Sequence, residues 1–218
     1  MLTLAGKAFT DERHSSPPAE GLDANLGRLP VLDVVAGGSK AVIGQSKAIW
    51  QYIAQTEGFL GENAVEAAQI TALAEHVSEM MAAYSKLVPW GSAPTEETFA
   101  ALFDDETASD VAGPAVSATS AKRNLRYFAH RLERLVGGEG FAVGAKFSLA
   151  DVLIYYRFGD ALSAADNEKV APHMREPLGS QARTDKLLAA CPKLAKIVAN
   201  VRGNAHVAKY LAARTGSF

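Results

Sequence analysis

The sequence predicts an α+β protein, with a small α/β unit over residues 1–58 and an all-α unit over residues 62–218. Residues 29–35 are rich in β-branched side chains, and a Gly-Gly pair separates them from a second short run at 40–44. This pattern is typical of two strands joined by a tight turn. After Gly61 the chain shows helical spacing almost throughout, which indicates a separate helical domain.

The α/β unit contains further predicted elements around this strand pair. Residues 5–13 fit a third short strand, and the Pro- and Gly-containing residues 15–27 fit a loop. Apolar residues recur at helical spacing from Gln45 until Gly58, which predicts one helix. We expect the linker between the two units to lie near residues 57–61.

The helical unit is predicted from apolar spacing, Pro and Gly stops, and capping residues. One long stretch, residues 168–183, contains two prolines and several charges, and is predicted to be a loop. The predicted helices cover residues 65–87, 114–136, 148–162, 184–190, 192–201 and 204–213.

Composition limits the possible functions. The net charge of −2 provides no basic field that would hold nucleic acid or an acidic membrane surface. No apolar run reaches the roughly 18 residues of a membrane helix, and no secretory signal is expected at the start. Cys191 is the only cysteine, so an intramolecular disulfide is impossible and a reducing, cytoplasmic location is expected. Cys191 is interpreted as a structural thiol, and no metal site is expected.

The first candidate for a binding feature is Leu29-Pro30 at the head of a predicted strand. Proline cannot donate a ladder hydrogen bond, so its presence there is unusual. A trans proline at a strand start is the common case. A cis proline would instead turn the main chain of Leu29 outward, where an extended peptide could pair with it.

The second candidate is Gln45-Ser46, where the second strand passes into a helix. Ser46 is a suitable helix cap, and this is the simplest interpretation. The same junction offers free N–H groups and the positive end of a helix dipole, which favour a bound carboxylate. The side chains of Gln45 and Ser46 add further donors.

A third motif, Ser148-Leu-Ala-Asp151, is a capping box. Ser148 is expected to cap the helix, and Asp151 is expected to accept a hydrogen bond from the Ser148 main-chain N–H. Asp151 has no evident carboxylate partner for acid–base chemistry. Its role is therefore interpreted as structural.

Taken together, these motifs resemble the glutathione transferases, and in detail the sigma and mu-like branch. The resemblance rests on Leu29-Pro30-Val31-Leu32, on Gln45-Ser46 with the helix after it, and on the capping box with its flanking residues. It implies a thioredoxin-like glutathione-binding domain over residues 1–58 and a helical C-terminal domain over residues 62–218. It also implies a cytoplasmic detoxification enzyme that acts as a homodimer.

The resemblance also implies particular binding residues. Leu29, next to the cis Pro30, would pair its main chain with the cysteinyl part of glutathione, and Gln45 and Ser46 would hold the γ-glutamyl carboxylate. A carboxylate from the partner's long helix would reach the glutathione amine, and both Glu75 and Glu79 fit that place. The hydrophobic electrophile would lie near an aromatic set comprising Tyr84, Trp90 and Phe218.

The chain departs from the family at its start. Residues 5–13 resemble the end of the family's first helix and its second strand, so the first strand, which normally carries the catalytic Tyr or Ser, has no room. The catalytic residue is therefore unknown. We expect either an incomplete N-terminus or a degenerate paralogue. The predicted function is conjugation of glutathione to an electrophile, with isomerase or peroxidase chemistry left open. A non-catalytic glutathione-binding or interaction protein on the same scaffold is the alternative.

Overall fold

The computed structural model describes residues 1–9, 20–36, 38–89, 92–104, 124–161 and 167–214. Within these residues a two-stranded sheet is followed by eight α-helices and several single helical turns. No helix in this described part of the chain is long and apolar enough to span a membrane.

The two predicted strands form an antiparallel pair, β1 over Val31–Ala36 and β2 over Ser39–Gly44. Their register runs from Val31 opposite Gly44 to Ala36 opposite Ser39. The third strand predicted over residues 5–13 does not form over residues 5–9, and residues 10–13 lie outside the described part. Hydrogen bonds to Met1 and Leu2 carbonyls fold this segment into turns instead.

The helix predicted after the strands is α1, Ser46–Thr56. It ends before Gly58, whose φ of +78° suits glycine far better than other residues. The fully buried Ala54 and the half-buried Trp50 pack this helix against the core of the helical unit. Helix α1 therefore joins the strand pair to the rest of the molecule.

Helix α2, Ala64–Leu87, begins one residue before its predicted start because Asn63 caps it. The Asn63 side chain accepts hydrogen bonds from the N–H groups of Val65 and Glu66, each at 3.0 Å. The remaining helices are α3 (Glu96–Phe99), α4 (Leu125–Leu135), α5 (Leu149–Phe158), α6 (Gln181–Ala189), α7 (Pro192–Gly203) and α8 (Ala205–Ala213).

Three of the helical expectations need correction, and a fourth is described only in part. Helix α5 ends at Phe158, about four residues before its predicted end. The predicted helix 114–136 is described only from α4 onward, since residues 105–123 lie outside the described part. Helix α6 begins three residues early because Ser180 caps it. The predicted loop at 168–183 contains two 3-10 turns, Pro172–Arg175 and Pro177–Gly179, in which proline at the first position favours a helical turn.

The core lies in the helical unit, with α5 at its centre between α2 and α7. Ala150, Ile154 and Phe158 of α5 are fully or almost fully buried. Burial of such side chains is the main favourable contribution to folding. The helical unit therefore gives a rigid platform on which α1 and the strand pair are held.

Candidate functional site

The two motifs singled out in the α/β unit lie side by side. Val31 is paired with Gly44 at one end of the sheet, so Pro30 and Gln45 are the next residues beyond that pair. Neighbouring strands lie roughly 5 Å apart. The turn before β1 and the start of α1 therefore form one continuous edge.

The Leu29-Pro30 peptide bond is cis, as the resemblance implied. Leu29 is 44% exposed, so its main chain lies at the surface rather than under other elements. Asn25 holds the following residue in place, because its Nδ2 donates a hydrogen bond to the Pro30 carbonyl at 3.0 Å.

Gln45, rather than Ser46, stands at the cap position of α1, and its φ of 69° is rare for a residue with a side chain. Such backbone conformations cost about 1–3 kcal/mol and cluster at binding sites. The expected Ser46 cap is wrong: Ser46 is the first helical residue, and no side chain caps the helix in the described structure. The first turn of α1 also contains no acidic residue.

Two residues that the sequence analysis did not identify, Gly44 and Asn25, hold this edge in position. A Cβ on Gly44 would lie 2.1 Å from the Ala24 carbonyl oxygen and 2.8 Å from Asn25 Cβ. Asn25 is only 4% exposed, and its Oδ1 has no hydrogen-bond partner among the residues that the structure describes. The glycine directly before Gln45-Ser46 could have indicated a close approach of two backbones. The sequence around Asn25 indicated only a turn.

One ion pair lies at the first turn of α1. Lys47 forms a 2.6 Å ion pair with Glu75 of α2, and both side chains are exposed. Glu79, the other long-helix carboxylate considered above, lies 4.0 Å from His76 Nδ1. Glu75 is thus in contact with α1 through Lys47.

A cavity of about 520 Å³ lies beside Ser46, between α1, α5 and α8. Tyr84 does not line it. Tyr84 lines a smaller crevice of about 40 Å³ with Tyr156 and Gly179, and burial raises the pKa of its hydroxyl. The other two aromatic candidates, Trp90 and Phe218, lie outside the described residues.

The capping box has the predicted geometry. Ser148 accepts a hydrogen bond from the Asp151 N–H, and Asp151 accepts hydrogen bonds from the Ser148 N–H at 2.8 Å and the Ala142 N–H at 2.7 Å. Burial nevertheless raises the pKa of Asp151 above its usual value, although these hydrogen bonds oppose the shift. With every contact directed at the main chain or at Ser148, Asp151 joins the start of α5 to the preceding loop.

Cys191 is fully buried at the start of α7, and its Sγ lies 3.8 Å from His130 Nδ1. Burial, with a contribution from Glu133, raises the pKa of the Cys191 thiol to about 12. The thiolate is the reactive form of cysteine. A thiol in this environment is therefore inert at neutral pH, as a structural residue requires.

Comparison with known proteins shows the family. The sequence profile described as the glutathione S-transferase C-terminal domain matches residues 95–214, more than half of the chain. A curated relative, probable glutathione S-transferase 6 of Caenorhabditis elegans, is 29% identical over 201 residues. The alignment covers 88% of this chain and 88% of the relative. The chain belongs to the glutathione transferase family.

Solved structures of the family have the same fold. A monomeric glutathione S-transferase of the hookworm Necator americanus aligns with a TM-score of 0.66 at 18% identity, covering 99% of this chain and 89% of that one. A Nu-class enzyme of Haemonchus contortus aligns with a TM-score of 0.60 at 21% identity and the same coverage. The predicted fold class is confirmed. The sigma and mu-like branch, the truncated first domain and the domain boundaries stay predictions.

Proposed function

We propose that this chain is a glutathione transferase whose glutathione lies along the edge formed by Leu29, Pro30, Gln45 and Ser46. The observation that carries the proposal is the register of the strand pair, which brings the Leu29-Pro30 turn next to the start of α1. An extended tripeptide needs main-chain hydrogen-bond partners and, next to them, a site for its carboxylate. Leu29 would supply the main-chain partners, and the start of α1 would supply the carboxylate site.

The start of α1 suits the γ-glutamyl carboxylate of glutathione. The first N–H groups of a helix have no partner within the helix, and the helix dipole favours an anion there. No side chain in the described structure takes that place. Gln45 and Ser46 add an amide and a hydroxyl group as neutral donors.

The turn before β1 suits the middle of the tripeptide. The main-chain N–H and C=O of Leu29 would pair with the cysteinyl residue in the manner of an added strand. Arg28, which is exposed and next to Leu29, would be available to the glycyl carboxylate. An arginine binds a carboxylate well because its guanidinium group can donate two parallel hydrogen bonds.

The proposed chemistry begins with loss of the glutathione thiol proton. The resulting thiolate attacks the electrophilic carbon of a hydrophobic acceptor and an S–C bond forms. Either a leaving group departs with its electron pair, or an activated double bond is saturated as its other end takes up a proton from water. A free thiol has a pKa of about 8.5, so an enzyme must favour the ionised form at neutral pH. The group that does so in this chain is not assigned.

The function is tested by glutathione titration in a calorimeter and by conjugation assays with electrophiles such as 1-chloro-2,4-dinitrobenzene. Gln45→Ala and Ser46→Ala should weaken glutathione binding several-fold. Gln55→Ala, at the exposed far end of α1, and Ser39→Ala, at the far end of the strand pair, are the matched controls. Binding without turnover on any electrophile would favour the non-catalytic alternative, and no binding at all would exclude both.

The proposal includes a cytoplasmic homodimer that packs through α2. Glu75 or Glu79 of the partner's α2 would reach the glutathione amine; in its own chain Glu75 is paired with Lys47 of α1. Light scattering after size-exclusion chromatography measures the assembly. If the protein is a monomer at micromolar concentration, the dimer and the role of Glu75 or Glu79 are both excluded.

A further inference from the structure

The small crevice at Tyr84 lies between α2, the end of α5 and the 3-10 turns that follow α5. Arg157 of α5 lines it together with Leu178 and Gly179 of the second turn. Its volume is about 40 Å³. One water molecule needs about 10–15 Å³ by the same kind of measure. The crevice is therefore too small for a ring system, but it can hold a group of the size of a carboxylate.

Arg157 is a half-buried cation that lies at this crevice without a counter-ion in the described part of the chain. Its guanidinium carbon lies 4.5 Å from the centre of the Tyr156 ring. Burial lowers the pKa of Arg157, and among the described residues only Tyr156 opposes this shift. A charged side chain is seldom buried without a partner, because its lost hydration is then not compensated. Stacking on a ring uses the face of the guanidinium group and leaves its in-plane N–H donors free.

The carboxylates that line the crevice already have other partners. Both oxygens of Asp160 accept hydrogen bonds from Arg214, at 2.9 and 3.0 Å. Glu176 is exposed, so water and salt screen its charge, and its Oε2 accepts a 2.7 Å hydrogen bond from the Gln181 N–H. Among the lining residues that the structure describes there is no further Asp or Glu. Neither carboxylate therefore neutralises Arg157.

Further donors surround the same space. The Tyr84 hydroxyl reaches the wall formed by Gly179, since a Cβ on that glycine would lie 3.1 Å from it. Burial raises the pKa of Tyr84, so the hydroxyl stays protonated at neutral pH and can donate a hydrogen bond. His173 lines the crevice from the turn Pro172–Arg175. In that turn the Nε of Arg175 is buried and has no hydrogen-bond partner among the described residues.

We propose that this crevice binds the carboxylate of a small organic acid, with Arg157 as the counter-ion and the Tyr84 hydroxyl as a second donor. The planar guanidinium group can donate two parallel hydrogen bonds to a planar carboxylate. The apolar part of the acid lies over Met81 and Leu178, which also line the crevice. An inorganic anion lacks that part and binds more weakly, as does a neutral amide of the same shape.

The test uses two fluorinated probes that differ in charge. 4-(Trifluoromethyl)benzoate is an anion at neutral pH, and 4-(trifluoromethyl)benzamide has almost the same shape without the charge. Fluorine NMR titration of the full chain without glutathione should give saturable one-site binding of the benzoate, and binding of the benzamide weaker by about tenfold or more. Sodium sulfate should displace the benzoate only with an affinity lower by about tenfold or more. Equal binding of the benzamide or of sulfate would overturn the proposal, as would no saturable binding of the benzoate.

Variants with a matched control locate the bound carboxylate. Arg157→Gln should weaken benzoate binding by about tenfold or more and leave benzamide binding unchanged. Arg134→Gln removes the same charge from an exposed position of α4 and should change neither. Tyr84→Phe should weaken benzoate binding several-fold.

Circular dichroism checks that each variant folds. If Arg157→Gln does not fold, Arg157→Lys replaces it; lysine keeps the charge but lacks the planar group, so a several-fold loss is expected. Unchanged benzoate binding in the folded Arg157 variant, or an equal loss in Arg134→Gln, would overturn the assignment to this crevice.

Glutathione itself carries carboxylates, so a competition experiment separates this site from the glutathione edge. None of Leu29, Pro30, Gln45 and Ser46 lines the crevice. Saturating glutathione should therefore leave benzoate affinity unchanged, and competition between the two would overturn the proposal. Benzoate binding without glutathione binding would leave this site standing and remove the glutathione proposal. Glutathione binding without benzoate binding would do the reverse.

Discussion

Gly44 and Ala24 are in such close contact that a Cβ on Gly44 would lie 2.1 Å from the Ala24 carbonyl oxygen. The obstacle is main chain rather than the end of a flexible side chain, so it cannot move aside locally. The contact fixes the last residue of β2 against the short turn at Asp23–Asn25. Gln45 and Ser46 follow directly, so this contact determines where α1 starts.

Gly44→Ala should therefore separate β2 from the turn behind it and shift the start of α1. We expect a loss of about 1–3 kcal/mol in the free energy of unfolding, as for other overpacked positions. We also expect a clear fall in glutathione affinity, measured by calorimetry. Gly138→Ala is the control, because a Cβ there meets nothing within 4 Å. Unchanged stability and affinity in Gly44→Ala would contradict the close contact.

Asn25→Ala should affect binding more than stability. It removes the 3.0 Å hydrogen bond to the Pro30 carbonyl, but it also removes the buried Oδ1, which has no partner in the described part of the chain. These two effects on the free energy of unfolding are each about 1–3 kcal/mol and have opposite signs. We expect a change of about 1 kcal/mol or less in urea unfolding, together with a several-fold loss of glutathione affinity.

The matched control is Asn200→Ala, since Asn200 donates a similar 2.9 Å hydrogen bond to the Gly140 carbonyl in the helical unit. It should leave glutathione affinity unchanged. If both variants weakened glutathione binding equally, Asn25 would have no specific part in holding the Leu29-Pro30 turn.

Asp151→Asn should change how stability depends on pH. Burial raises the pKa of folded Asp151 above the value of 3.8 expected without burial. The protonated form is therefore favoured by folding, and its contribution is complete below the unfolded pKa and lost as pH rises through the folded pKa. The stability of the wild type relative to Asp151→Asn should thus increase as pH falls from 7 toward 4. Urea unfolding at four pH values measures this, and a flat or reversed trend would contradict it.

Glu133→Gln should destabilise the start of α7. Cys191 stands at the cap position without a side-chain cap, and the Glu133 carboxylate of α4 accepts hydrogen bonds from the Lys193 and Leu194 N–H groups instead. An amide retains only one acceptor atom, so a loss of about 1–2 kcal/mol is expected in urea unfolding. Glu139→Gln is the control, because Glu139 is exposed and lies 3.8 Å from Lys196. If both variants lost the same unfolding free energy, Glu133 would have no specific part in capping α7.

Local sequence signals were enough for the strand pair, for most helix positions and for the capping box, but they wrongly predicted a third strand that begins at residue 5. Turn residues, apolar spacing and caps act over a few residues, so they can be read directly from the chain. The early start of α6 follows the same rules through Ser180. The resemblance predicted the cis peptide bond at Leu29-Pro30, which residue preferences alone did not favour.

Long-range relations could not be predicted in this way. The hydrogen bond from Asn25 to Pro30 depends on how a turn folds back over a strand end, and Glu133 acts across about sixty positions of sequence. The ion pair between Asp160 and Arg214 likewise joins the residues that follow α5 and α8, which are distant in sequence. The cavity beside Ser46 exists only once α1, α5 and α8 are assembled. None of these contacts has a periodicity that a sequence pattern can reveal.

The positive φ of Gln45 lowers stability at a residue that is proposed to bind glutathione. Glycine would adopt a φ of 69° freely and would ease the formation of the strand-to-helix junction. It would also leave that junction without an amide group to offer a ligand. If Gln45 binds glutathione as proposed, Gln45→Gly should raise the free energy of unfolding and weaken glutathione binding, so stability and affinity cannot both be improved at this residue.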